Sequence, residues 1–334
     1  MSQTSEKYFV PEPSTYPLMG AVALLLMGSG ASFWVNQIEA GPWMVAFGFA
    51  ILIYMLFGWF GTVARESEGG QYGAQVGQSF RFSMMWFIFS EVMFFAAFFG
   101  TLFYVRHIGV PDLGSVDGNL FWPAFKAVWP TAGPLGVLEM TMTPTAGKIT
   151  LGLALMIAAG AAVTYAHKPL EHGQRGQLQL VLVLTVVLVG LFLGAMTVEW
   201  LPAINTALLL ASAATLTWAH WSIRNGNRGQ FNLFLAVTIA LGVVFLGCQA
   251  TEYTHAYHEG LKLTSGIYGS TFFMMTGFHG LHVTIGVIML TVMLFRSLAG
   301  HFTAERHFAF EAAAWYWHFV DYVWLLLFIV VYVL

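Results

Sequence analysis

The sequence predicts an all-α, polytopic membrane protein, and three observations carry that prediction. Of its 334 residues 58% are hydrophobic, 16% aromatic and only 9% charged. A soluble domain usually carries about 25% charged residues, so lipid must replace water around most of this chain. The mean hydropathy is +0.71. Nine apolar runs are each long enough to cross a bilayer, at 17–36, 43–64, 82–105, 149–167, 178–198, 203–222, 231–251, 268–295 and 308–333. A closed barrel would need short alternating segments instead, and these runs are long and unbroken.

The elements follow in order. Residues 1–16 lack the basic start, short apolar core and small-residue cleavage site of a secretory signal, and read as a polar tail. Residues 17–64 hold the first two helices, and 65–81 (RESEGGQYGAQVGQSFR) form a glycine-rich polar linker. Residues 82–334 form a helical bundle. An external loop, 106–148, interrupts it and carries Trp122-Pro123 and Trp129-Pro130, suited to the membrane interface. Basic residues set the orientation. With the N-terminus inside, nine of them (Lys7, Arg65, Arg81, Lys168, Arg175, Arg224, Arg228, Arg296, Arg306) fall on the cytoplasmic side. Four (Arg106, Lys126, Lys148, Lys262) fall outside, so the N-terminus is cytoplasmic and, with nine helices, the C-terminus is external.

A shift of 53 positions aligns ALMIAAGAAVTYAHKPLEHGQRGQLQLVLVLT (154–185) with ALLLASAATLTWAHWSIRNGNRGQFNLFLAVT (207–238), and the match runs on to Glu199 and Glu252. About nineteen of some fifty-two positions agree, including a polar turn, Arg175-Gly176-Gln177 with Arg228-Gly229-Gln230. Apolar composition alone would not put that turn in register. A helical hairpin is duplicated, as 149–198 and 202–253, ahead of two last helices in 268–334. The first copy places Ala154, Ala158 and Ala162 on one small-residue face, suited to close packing on the outer flank of the bundle.

Polar groups inside a membrane cost about 2.5–3.5 kcal/mol at mid-helix when charged, so each needs a reason. Glu91 lies roughly 15 Å in from Arg81, at 1.5 Å per residue. The same arithmetic puts His318 roughly 18 Å and Asp321 roughly 22 Å in from Arg306, and His282 roughly 21 Å in from Arg296. These four share one buried polar layer, with Glu91 paired to His282 or His318, either as a packing hydrogen bond or as part of a proton or gas path. The border arginines Arg65, Arg81 and Arg296 either set topology by snorkelling or clamp lipid phosphates, with Trp59 beside them. No basic face suggests nucleic acid at a net charge of −3. The lone Cys248 excludes an internal disulfide and a cysteine-based metal site, and no Walker, dinucleotide or haem-attachment motif is present. Interhelical hydrogen bonding explains the histidines more simply than a metal does.

Several strings, FRFSMMWFIFSEVMFFAAFFGTLF (80–103), PAINTALLLASAATLTWAHWSI (202–223), GIYGSTFFMMTGFHGLHVTIG (266–286), FEAAAWYWHFVDYVWLLLFIVVYVL (310–334) and the WFGTVARES segment ending at Ser67, closely resemble cytochrome c oxidase subunit III of proteobacterial type. The resemblance implies seven helices, the first two splayed from the other five to leave a cleft filled with phospholipid. It implies a non-redox subunit of an inner-membrane oxidase, docked on subunit I and near subunit II, with haem and copper held by those partners. It also implies a role in stabilising the complex, sustaining proton uptake or admitting oxygen. Glu91 matches the family's buried glutamate, and Trp59, Arg81 and Arg296 match positions associated with cleft lipids. The chain departs from the family in its extra hairpin, and in Arg306 and Ala309, where a histidine and a glycine are usual. Pro202, Asn205 and Thr206 mark the second copy as the family's own hairpin. The quinol-oxidase version of the subunit usually lacks the two N-terminal helices, which favours the cytochrome c type. A free-standing transporter would more often carry inverted halves than a local tandem hairpin.

Overall fold

A computed structural model describes residues 9–136 and 201–334. Among them the chain is helical and holds seven helices long and apolar enough to cross a membrane. These are α1 (Tyr16–Val35), α2 (Ala40–Glu68), α3 (Ala74–Tyr104), α4 (Leu201–Arg224), α5 (Arg228–His258), α6 (Ile267–Leu298) and α7 (Phe308–Leu327). A π-helical turn and a short helix extend α3 to Leu113, and π-helix continues α7 to Val333. The expected spans at 149–167 and 178–198, and hence the count of nine and the packing of the first hairpin copy, lie outside the described residues.

The segment 65–81, expected as a linker, is mostly helical. Helix α2 runs on through Arg65 to Glu68 and α3 starts at Ala74, leaving only Gly69 to Gly73 as a turn, with Gly70 at φ +70°. Polar composition suggested a loop, but a helix can run on past the lipid with polar side chains in water. At 29 and 31 residues, α2 and α3 exceed the roughly 20 that hydrocarbon requires.

The described chain divides into two compact units, Met1–Ser83 and Met84–Leu334. In the first, α1 and α2 form a hairpin whose backbones touch through small residues. A Cβ added at Gly48 would sit 2.8 Å from Ala23 O, and one at Gly30 would sit 2.8 Å from Met44 Cβ. Such closeness lets van der Waals contact bind helices where lipid offers no hydrophobic drive. The turn after α2 is clasped by Tyr72, whose hydroxyl donates to Glu66 Oε2 at 2.5 Å and whose ring meets Phe9 and Phe80. Burial, aided by the Glu66 carboxylate, pushes the Tyr72 phenol up.

In the second unit α4, α5, α6 and α7 pack in sequence and α7 returns against α4. Their buried residues alternate at spacings of three and four. In α5 the row is Phe231, Leu235, Thr238, Gly242, Phe245, Gln249, Glu252 and Ala256; in α7 it is Phe310, Ala313, Trp317, Val320, Trp324 and Leu327. That alternation makes a seam of interlocking side chains with small crossing angles. Both large indoles satisfy their N–H groups across the seam: Trp317 donates to Ser212 and Trp324 to Thr206, each at 2.9 Å. The Trp317 ring fits because Gly242 and Gly286 face it; added Cβ atoms there would lie 2.6 and 2.8 Å from the ring.

The Arg-Gly-Gln turn, conspicuous in the repeat, has a structural task in the second copy. Arg228 Nη2 donates to Phe302 O at 2.7 Å and Gly300 O at 3.2 Å, tying the α4–α5 turn to the α6–α7 loop. Asn227 caps α5 by accepting from Gln230 N at 3.1 Å. On the other side Trp129 packs on Tyr268, and the backbone N–H groups of Ile267 and Tyr268 donate to Ala132 and Thr131. The segment 129–132 thus caps the start of α6.

Candidate functional site

Glu91 on α3 meets His282 on α6. Glu91 Oε2 and His282 Nε2 are 2.9 Å apart, and the side chains are 22% and 10% exposed. The sequence offered His282 or His318 as the partner, and the geometry brings His282. The other imidazole nitrogen, Nδ1, lies 2.6 Å from Phe278 O, one turn back on the same helix. A carbonyl only accepts, so Nδ1 carries a proton. Nε2 therefore either accepts from a carboxyl O–H or, protonated, donates to a carboxylate. The two forms differ only in where one proton sits along the line joining the residues.

Aromatic rings surround the imidazole. Phe95 lies edge-on to the imidazole at 5.0 Å, Tyr316 stacks on it at 6.3 Å, and Phe94 and Phe319 complete the surround. His318 and Asp321 form a second pair within α7, with Nδ1 and Oδ2 3.6 Å apart; Asp321 is buried and the His318 side chain is 34% exposed. Glu91 thus pairs with His282 and His318 with Asp321, as two separate contacts.

The four residues expected at lipid divide between the units. In the first, Trp59 is 49% exposed and stacks on Phe60, Arg65 Nη2 donates to Thr62 Oγ1 at 2.9 Å, and Arg81 is exposed. In the second, Arg296 lies over the Phe302 ring at 5.0 Å, at the last turn of α6. Among the described residues no three His, Cys, Asp or Glu side chains group as a metal-ligand set would. His279 and His282 are a turn apart yet have different neighbours: one meets Phe245 and Trp324, the other Glu91.

One acid went unread at the sequence level. Glu252 is 0% exposed, accepting from Tyr332 OH at 2.9 Å and from Gln249 Nε2 at 3.0 Å. It lies just past the apolar run that ends at 251, whereas α5 continues to His258. Its recurrence as Glu199 in the repeat was the available signal.

A bundle of long apolar helices, cross-linked by indole and carboxylate hydrogen bonds and holding a partly buried carboxyl–imidazole pair, defines a multi-pass membrane protein. The family model for cytochrome c oxidase subunit III matches residues 6–204 and 199–334. The chain is 34% identical over 335 aligned positions to cytochrome c oxidase subunit 3 of Lemur catta, covering 99% of this chain and 94% of that protein. It is similarly 34% identical to that of Oryctolagus cuniculus and 35% identical to that of Cyprinus carpio, each covered over 98% of its length. The chain belongs to the cytochrome c oxidase subunit III family, whose members are parts of an oxidoreductase complex.

Proposed function

We propose that this chain is the non-redox subunit III of a proton-pumping cytochrome c oxidase in an aerobic bacterial respiratory chain. It sits in the inner membrane with its N-terminus cytoplasmic, against subunits I and II, which hold the haems and copper. The observation that carries this reading is the match over 99% of the chain to subunit 3 proteins, with the α1–α2 hairpin included. That hairpin favours the cytochrome c type over the quinol type. In this reading the chain stabilises subunit I, and the Glu91–His282 pair holds a shareable proton inside the membrane, in support of proton uptake or oxygen access. Phospholipid binds at the helix borders, its phosphates held by Arg65 and Arg81, beside Trp59, in the first unit and by Arg296 in the second. Guanidinium groups at helix ends, exposed at Arg65 and Arg81 and partly buried at Arg296, suit phosphate, to which their planar fork can bond twice.

The test is a mild-detergent affinity purification of this chain from native membranes, with a reduced-minus-oxidised spectrum of the eluate. An a-type haem signal, lost with the partners when this subunit alone is stripped away, is the expected result. A colourless single polypeptide would overturn the reading in favour of a free-standing transporter. Cytochrome c or quinol as the productive donor separates the two oxidase types.

A further inference from the structure

Three buried polar side chains, on three helices of the second unit, occupy one cross-section of the bundle without bonding to one another. Asn205, Gln249 and His279 are 0, 4 and 1% exposed. Five of their atoms (Asn205 Oδ1 and Nδ2, Gln249 Oε1, His279 Nδ1 and Nε2) have no hydrogen-bond partner among the described residues. Contacts between the helices fix the register. Thr215 meets Thr238 at 2.8 Å across antiparallel α4 and α5, so Asn205 lies level with the turn of Gln249. The Phe245 ring, one turn from Gln249, faces the His279 ring at 5.8 Å. The indole of Trp324 lies at 5.1 Å from the His279 ring and donates to Thr206, the neighbour of Asn205. All three polar residues stand in the buried rows of their helices.

We propose that this layer is a binding site for internal water, which joins α4, α5 and α6 through these three side chains. Buried amide and imidazole groups in folded proteins are almost always bonded, and a buried water typically makes about three hydrogen bonds. The chemistry is complementary. The Asn205 amide supplies N–H donors and a carbonyl acceptor, Gln249 Oε1 accepts, and a neutral imidazole supplies one N–H and one lone pair. One water donates to Gln249 Oε1, accepts from the Asn205 amide N–H and bonds one ring nitrogen of His279; the other ring nitrogen points away across the ring and takes a second water. Gln249 Nε2 is engaged by Glu252, which also accepts from Tyr332 OH, so Oε1 is the end left for water. The water thus extends a hydrogen-bonded chain that reaches α7 through Glu252 and Tyr332. An apolar layer here would let helices slide by a turn at little cost; a shared water that needs all three side chains does not.

The test is a cryo-electron microscopy map of the intact oxidase complex, at a resolution where buried waters in its other subunits are visible. The expected result is non-protein density within about 3 Å of at least two of the five atoms. A map of the complex carrying His279→Phe should show that density lost or displaced, with Asn205 reoriented. The proposal is overturned if the wild-type map shows the three side chains bonded directly to one another, or to another part of the chain, with no density between them. It is also overturned if the density persists unmoved in His279→Phe. Should that variant not assemble, the wild-type map alone decides.

Discussion

Because His282 Nδ1 must donate to Phe278 O, the nitrogen facing Glu91 has only one lone pair or one proton to offer. A glutamine at 91 can fill that role by donating from its amide to a neutral Nε2, so Glu91→Gln should keep the interhelical bond while removing the shareable proton. Glu91→Leu leaves the imidazole nitrogen without a partner, at a cost of about 1–3 kcal/mol. Retention of the subunit during detergent titration of the complex should therefore be near normal in Glu91→Gln and weakened in Glu91→Leu. Turnover separates the roles: slower turnover in fully assembled Glu91→Gln oxidase marks a proton task, and unchanged turnover marks packing alone. Depth arithmetic from border arginines was enough to place Glu91 level with His282, because helical rise is constant. It could not choose between His282 and His318, which depends on how each helix is rotated. Asn205, Gln249 and His279 escaped that arithmetic because uncharged polar residues at seam positions look like ordinary interface.

Hydropathy locates the spans because the lipid thickness sets a length, but it says nothing of what lets two helices approach. In the α1–α2 hairpin that task falls to glycines whose faces emerge only once the helices are paired. Gly48 abuts the backbone carbonyl of Ala23, whereas Gly28 has nothing within 4 Å of its would-be Cβ. Gly48→Ala should force the hairpin apart, costing about 1–3 kcal/mol as overpacked sites do, while Gly28→Ala should be neutral or slightly stabilising through helix propensity. Thermal denaturation of the purified complex, followed by loss of this subunit, checks both. Equal effects would mean that the two helices do not meet at Gly48. The same limit explains the segment 65–81, where composition suggested a loop and the helices simply run on into water. By contrast, the Arg-Gly-Gln turn was legible as important from its recurrence alone, and the carbonyls of Gly300 and Phe302 supply the reason.

At the scale of the whole chain the sidedness of the membrane rests on charge. The described turns α2–α3, α4–α5 and α6–α7 are flanked by Arg65 and Arg81, Arg224 and Arg228, and Arg296 and Arg306. The opposite ends carry fewer basic groups, so the positive-inside bias predicts that the arginine-bordered turns face the cytoplasm. Single cysteines placed in a Cys248→Ala background report the outcome directly. Asp117→Cys should react with a membrane-impermeant maleimide in right-side-out spheroplasts, and Gln71→Cys only after lysis; both positions are exposed. The reverse pattern would place Arg65 and Arg81 outside. It would also put the Tyr72–Glu66 clasp on the external face, while leaving Glu91 at the same depth from the Arg81 border.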